Sequence, residues 1–287
     1  MTLGPMPFLA HVERAAALQA ATPRRPWTPA DGALPTLYVS HGAPPLLEQP
    51  GWMAALYDWA SALPTPRAVL IVSAHWEAAP LSLSSSAART TPVYDFGGFD
   101  PVFFRMRYDT PDASGLARLV RSVLPDTEDL HEHTGRGLDH GAWVPLSAMY
   151  PDASIPVLQL SMPTHDAGRL LALGARLRTL REHGVLIIGS GFMTHGLRFI
   201  QWNRPDAVPG WSAEFDDWAA SALAAGDVDE LAAFREHAPG MPYAHPTVEH
   251  FTPLFVTLGA ATDPTAPVTT AIDGFWFGMA KRSFQVA

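Results

Sequence analysis

The chain reads as one α/β domain, a single domain with a mostly parallel or mixed central sheet covered by helices on both faces. Three observations predict this. Short apolar runs at Leu37–Ser40, Ala68–Ala74, Ile155–Leu160 and Val185–Gly189 are continuous rather than alternating, which suits strands buried on both faces. Helix-period segments lie between them, the strand–helix alternation of a parallel sheet. The strand-like runs also lead to histidine: "LYVSHGAPP" at His41, "LIVSAHWE" at His75, and "VLIIGSGFMTHGL", which runs on to His195.

Residues 1–30 carry no such strand or core pattern and read as a weakly ordered N-terminal extension, with residues 31–287 forming the domain. After the first strand, "PGWMAALYDWASAL" places Trp52, Leu56, Trp59 and Leu63 on one helical face. "LSLSSS" (Leu81 to Ser86) alternates and suits a short edge strand. "DASGLARLVRSVL" opens on a capping Asp112 and spaces Leu116, Leu119, Val120 and Val123 helically. "PTHDAGRLLALGARLRTLREHG" is a long amphipathic helix closed by Gly184. Beyond Gly210 helices are expected over Trp211–Ala224, Val228–His237 and Thr247–Leu258, and a final strand within "GFWFGMAKRSFQVA".

Of 287 residues, 47% are hydrophobic and 16% charged, enough apolar material for a sizeable core. The formal charge is −9, with 19 Lys and Arg against 28 Asp and Glu, and no basic run exists; this excludes a nucleic-acid partner. With no cysteine there is neither a disulfide nor a thiolate, so a metal must be held by Asp, Glu or some of the 12 histidines. No apolar stretch approaches the roughly 18 residues of a membrane span. The N-terminus lacks the unbroken apolar core of a secretory signal, and Arg24–Arg25 leads into Pro26–Trp27–Thr28–Pro29; a cytoplasmic location is expected. Oligomeric state is not legible.

In open α/β sheets ligands bind beyond the carboxyl ends of the strands. One imidazole at such a place is most simply a satisfied side chain. Several on neighbouring strands suggest a common point, because consecutive strands tend to lie close together. "SHGAPP" adds Gly42 and two prolines that stiffen the turn after His41. In "HPTVEHFTPL", read as a helix beginning near Pro246, Glu249 and His250 point about 100° apart, so only one of them enters a given site. In "GLDHGAWVPL", Asp139 either orients His140 or caps the helix that starts there. "GSG" lacks the Lys-Ser/Thr of a phosphate loop and the spacing of a dinucleotide fold. "YDFGGF" reads as a flexible aromatic loop near the site. His131, His133, His165, His183 and His237 lie in charged or helix-terminal surroundings and read as solvated surface residues.

Six motifs, "SHGAPP", "VSAHWE", "YDFGGF", "GLDHGAWVPL", "GSGFMTHGL" and "HPTVEHFTPL", occur in this order. In them the chain resembles the DODA-type extradiol aromatic ring-opening dioxygenases, of the class III superfamily that includes the protocatechuate 4,5-dioxygenase catalytic subunit. The resemblance covers roughly residues 34–285. It implies one divalent metal, Fe(II) for activity or Zn(II) as bound, on His41, His75 and His250. It implies that His195 is an acid/base and, with zinc, a fourth ligand, and that His140 meets substrate oxygen. The wider superfamily has glutamate as its third ligand; this chain has His250 there, with Glu249 adjacent. The implied partners are O₂ and a small aromatic substrate, a DOPA-like or other substituted catechol. Trp76, Tyr94, Phe96 and Phe99 are candidates for an apolar pocket around its ring. Two other classes use the same residues: a zinc hydrolase with His195 or Glu249 as base, and a non-enzymatic binding protein on this fold.

Overall fold

The computed structural model describes residues 4–287. Its strands are β1 (Thr36–Ser40), β2 (Ala68–Glu77), β3 (Ser82–Leu83), β4 (His131–Glu132), β5 (Val157–Met162), β6 (Val185–Gly191), β7 (Thr269–Ile272), β8 (Phe275–Trp276), β9 (Met279–Ala280) and β10 (Ser283–Val286). The helices are α1 (Met6–Ala21), α2 (Pro50–Ser61), α3 (Ser114–Val123), α4 (His140–Met149), α5 (Ala167–Leu177), α6 (Gly210–Ala225), α7 (Val228–Ala232), α8 (Phe234–His237), α9 (Met241–Ala244) and α10 (Pro253–Ala260).

Eight strands form one mixed sheet in the order β4-β3-β5-β2-β6-β1-β10-β7. The central four, β5, β2, β6 and β1, are mutually parallel; β3 joins β5, and β10 joins β1, antiparallel. β8 and β9 make a separate two-stranded hairpin. Along β2 the side chains alternate between two cores, Leu70 and Val72 into one and Val69 and Ile71 into the other. That is why the run has no polar positions. α3, α5, α6 and α10 pack on the first face, and α2 and α4 on the second. Register sets Ser40 beside Gly191 and Ser73 beside Ser190, so β1 and β6 finish level with one another and β2 runs on past them to Glu77.

Several elements differ from the sequence reading. The segment read as a weakly ordered extension contains α1, which buries Phe8, His11 and Ala15. The long helix closed by Gly184 is α5 followed by a tighter 3₁₀ segment, Arg178–His183, with Gly184 left-handed as its cap. The helix read over Val228–His237 is two short ones, α7 and α8. The helix read over Thr247–Leu258 starts only at Pro253. Proline fits the first turn of a helix, and residues before it are pushed out of helical geometry. Residues 246–252 are turns, which changes the aim of Glu249 and His250.

Candidate metal centre

The neighbouring strands bring histidines together at one edge of the sheet, as the sequence predicts. His41 follows β1, with its main-chain N–H donating to the Gly191 carbonyl at 2.9 Å. His75 lies near the carboxyl end of β2. His250 arrives from the turns before α10, where its carbonyl accepts the Tyr38 hydroxyl at 2.8 Å and the Phe192 N–H at 2.9 Å. Two glycines make room for this. A Cβ on Gly191 would lie 2.0 Å from the His250 carbonyl oxygen, and one on Gly141 would lie 2.3 Å from Ser73 Oγ and 3.0 Å from His75 Cδ2.

The Nε2 atom of His75 is 3.1 Å from His41 Nε2 and 3.1 Å from His250 Nε2. What binds the opposite edge of each ring decides its chemistry. His250 Nδ1–H donates to Glu249 Oε1 at 2.8 Å. Ser190 Oγ gives its only proton to the Gly141 carbonyl, so it must accept from His41 Nδ1–H, 3.0 Å away. Asp95 Oδ2 is 3.6 Å from His75 Nδ1. With protons on the Nδ1 edges of His41 and His250, their Nε2 lone pairs both face His75 Nε2, an arrangement that a cation between the three rings satisfies. A separation of about 3 Å suits two nitrogens on neighbouring positions of one ion with bonds of about 2.1 Å. The donor set therefore fits a divalent metal.

Electrostatics agree with that fit. Burial, followed by the neighbouring imidazoles, holds His41 and His250 well below the ordinary histidine range. Burial and then His140 push His75 down to about 3, with Asp95 opposing. All three rings are neutral at pH 7, the ligand form.

Two further histidines adjoin. His140, the first residue of α4, lies 3.8 Å from His75 ring to ring. His195 stacks on His250 at 3.4 Å with 15° between the planes, and burial followed by His245 lowers it to about 3. Donor atoms of His41, His75 and His140 lie within 4.8 Å of one another, and so do those of His195, Glu249 and His250. The His75–His250 contact joins the two trios into one cluster.

Some expectations need correction. Glu249 and His250 both belong to the cluster, with Glu249 behind His250 rather than competing with it, because the segment is not helical. Asp139 neither orients His140 nor caps α4 through its side chain: its buried carboxylate accepts from Ser73 at 2.8 Å and from Gln159. Asp95, in the loop read only for its aromatics, holds His140 instead. The loop is anchored by Tyr94, whose hydroxyl donates to the Met106 carbonyl at 2.7 Å.

Of the four aromatics expected around a substrate ring, Phe96 reaches the cluster, edge-on to His140 at 5.8 Å. Phe99 and Tyr94 pack behind it, at 6.1 Å each. Trp76 does not join: it follows His75 in β2 and faces the Arg136 guanidinium at 4.4 Å and His133 at 5.4 Å. His165, read as solvated, is half-buried and ties the end of β2 to the turn before α10 through Glu77 at 2.7 Å and Thr252 at 3.3 Å. His131, His133, His183 and His237 are exposed as expected.

Residues 35–272 match the family described as the catalytic LigB subunit of aromatic ring-opening dioxygenase. A 4,5-DOPA dioxygenase extradiol of Beta vulgaris is 38% identical over 241 residues, covering 80% of this chain and 88% of that protein. Its namesake in Escherichia coli (strain K12) is 32% identical over 260 residues, 88% of this chain and 94% of the relative. The crystal structure of an uncharacterized Escherichia coli K12 protein aligns with a TM-score of 0.73 at 28% identity, covering 88% of this chain and 100% of the other. A match running from β1 through β7 takes in every clustered histidine, and the chain belongs to the LigB family of aromatic ring-opening dioxygenases.

Proposed function

We propose that this protein is an extradiol dioxygenase that opens a DOPA-like or other substituted catechol, with one Fe(II) held by His41, His75 and His250. The observation that carries the ligand set is the convergence of three Nε2 atoms at 3.1 Å contacts, with the Ser190 hydroxyl and the Glu249 carboxylate accepting from the far edges of His41 and His250. Bound there, the metal supplies Lewis acidity toward both catechol oxygens and the redox couple that lets O₂ react; three protein ligands leave positions for both. His195 and His140 flank the ligands and are proposed to move protons to and from substrate oxygen. Phe96 gives the aromatic ring an apolar neighbour and helps exclude water.

Three imidazoles also accept zinc. Of the two bases a zinc hydrolase could use, Glu249 is tied to His250 Nδ1, which leaves His195; metal content and oxygen uptake separate that reading from the dioxygenase one. Retention of all five clustered histidines supports catalysis over mere binding.

Anaerobic loading with Fe(II), followed by oxygen uptake with a panel of substituted catechols, tests the reading. The expected product absorbs in the visible and carries one atom of ¹⁸O₂ in a new carboxylate. A dicarboxylic muconate, or no oxygen consumption with any catechol, refutes it.

A further inference from the structure

Asp95 stands outside the ligand set, yet its carboxylate faces two of the clustered histidines, His140 and His75. Its Oδ1 accepts twice from His140, from Nδ1–H at 2.8 Å and from the main-chain N–H at 3.2 Å. Its Oδ2 lies 3.6 Å from His75 Nδ1. We infer that Asp95 is the positioning residue of the reaction: it fixes the ring and tautomer of His140, so that a bare Nε2 is offered to the substrate's hydroxyl.

The local structure explains why a residue from a distant loop does this. The N–H of His140 is one of those that a helix start leaves without an internal partner. Asp139 has the position to satisfy it, but its carboxylate is committed to Ser73 and Gln159. Asp95 serves instead, and the same oxygen takes the ring N–H. An acceptor at Nδ1 leaves the lone pair on Nε2, so His140 meets a catechol as an acceptor of its O–H. Packing holds the ring in place, with Phe96 edge-on at 5.8 Å and His41 edge-on at 5.5 Å. Without the carboxylate, the ring can turn and exchange its proton between nitrogens. The inference rests on the dioxygenase reading for its substrate, but not for the tautomer.

Two measurements keep these apart. Long-range ¹H–¹⁵N spectra of the zinc-loaded protein report each histidine tautomer without any turnover. His140 is expected as a single Nδ1–H form in the wild type and as a mixture in Asp95→Ala. Oxygen uptake by the iron-loaded protein with 4-methylcatechol then completes a cycle of Asp95→Ala, His140→Ala and the double variant. Loss of an outer partner typically costs about 10–100-fold, and that is the fall in kcat expected for Asp95→Ala. Metal content should stay at the wild-type level. In the His140→Ala background the same substitution should change kcat less than about twofold, because interacting residues do not add. An unaltered tautomer in Asp95→Ala, metal loss, or a full additive effect in the double variant would overturn the inference, the last two assigning Asp95 to His75. If Asp95→Ala does not fold, Asp95→Leu fills the same space without a hydrogen-bond acceptor and is read the same way. A tautomer change with no turnover of any catechol by wild type would refute the dioxygenase reading alone.

Discussion

A single methyl group at Gly141 would crowd the proposed metal centre. A Cβ there would stand 2.3 Å from Ser73 Oγ, 3.0 Å from His75 Cδ2 and 3.2 Å from His41 Cε1, so two ligand rings and the hydroxyl beside them meet it at once. Ser73 cannot swing aside cheaply, since its hydroxyl donates to the buried Asp139 at 2.8 Å. Overpacking a filled interior costs about 1–3 kcal/mol, and here that strain falls on the ligands. Gly141→Ala is expected to hold zinc at least tenfold more weakly in competition with a chelator, while its circular dichroism stays that of the wild type. Unchanged zinc affinity would mean that α4 can withdraw from the cluster. At this scale His41, His75 and His195 were legible because each ends or follows an apolar run, whereas His140 and His250 stood out only through the motifs that carry the family resemblance. Asp95 was not: its partner lies 45 positions away, and nothing local marks one acid among aromatics as bound to an imidazole. Glu249 was visible, but its role depended on a backbone that is not helical.

Among the elements, α1 shows best what sequence periodicity can miss. It lies outside the matched family region, and "RAAALQAA" offers alanines where an apolar stripe would be sought. It docks by specific contacts instead. His11 Nε2–H donates to the Ala148 carbonyl at 2.9 Å, and the Tyr57 hydroxyl donates to the Ala15 carbonyl at 3.1 Å. Burial lowers the pKa of His11, with the Ala148 bond opposing. A detached helix would then bind a proton that the docked helix refuses, so this part of the docking free energy is complete above about pH 6.5 and falls as pH drops below it. Hydrogen exchange over residues 6–21 is expected to be faster at pH 5 than at pH 7.5 after correction for intrinsic rates. His11→Gln, which can still donate to Ala148 but does not titrate, should lose most of that difference. Equal protection at both pH values would remove His11 as the cause. The strands fared better than the helices. Four continuous apolar runs became β1, β2, β5 and β6, whereas the start of α10 was decided by which of two prolines, Pro246 or Pro253, took the first turn.

For the molecule as a whole, the sheet gathers buried neutral imidazoles at one edge of two cores, and such a site links metal to pH. His75 and His195 are both lowered to about 3, first by burial. A histidine depressed in the folded state contributes stability that is present above about pH 6.5 and is lost as pH falls toward the folded value. Protons and metal also compete for the same lone pairs, and a ligand stabilises only in proportion to its binding. Zinc is therefore expected to raise Tm strongly at pH 7.5 and much less at pH 5.5, measured by scanning fluorimetry with and without a chelator. A zinc increment independent of pH would exclude the histidine cluster as its source. No described helix is long and apolar enough to cross a membrane. The α/β class and the mixed sheet were legible from the alternation of elements. The order of the strands was not, because it depends on crossovers that periodicity does not encode.

The hydrogen bond from the Tyr38 hydroxyl to the His250 carbonyl also bears on the history of each molecule. It closes a loop of 212 positions, and the histidines it helps bring together come from the end of β1, from β2 and from the turns before α10, far apart along the chain. Contacts of such long sequence separation form late, after the chain has already given up most of its freedom. A metal on the proposed ligands is therefore expected to be captured late in refolding, as an indicator that assembly has finished rather than a seed from which it starts.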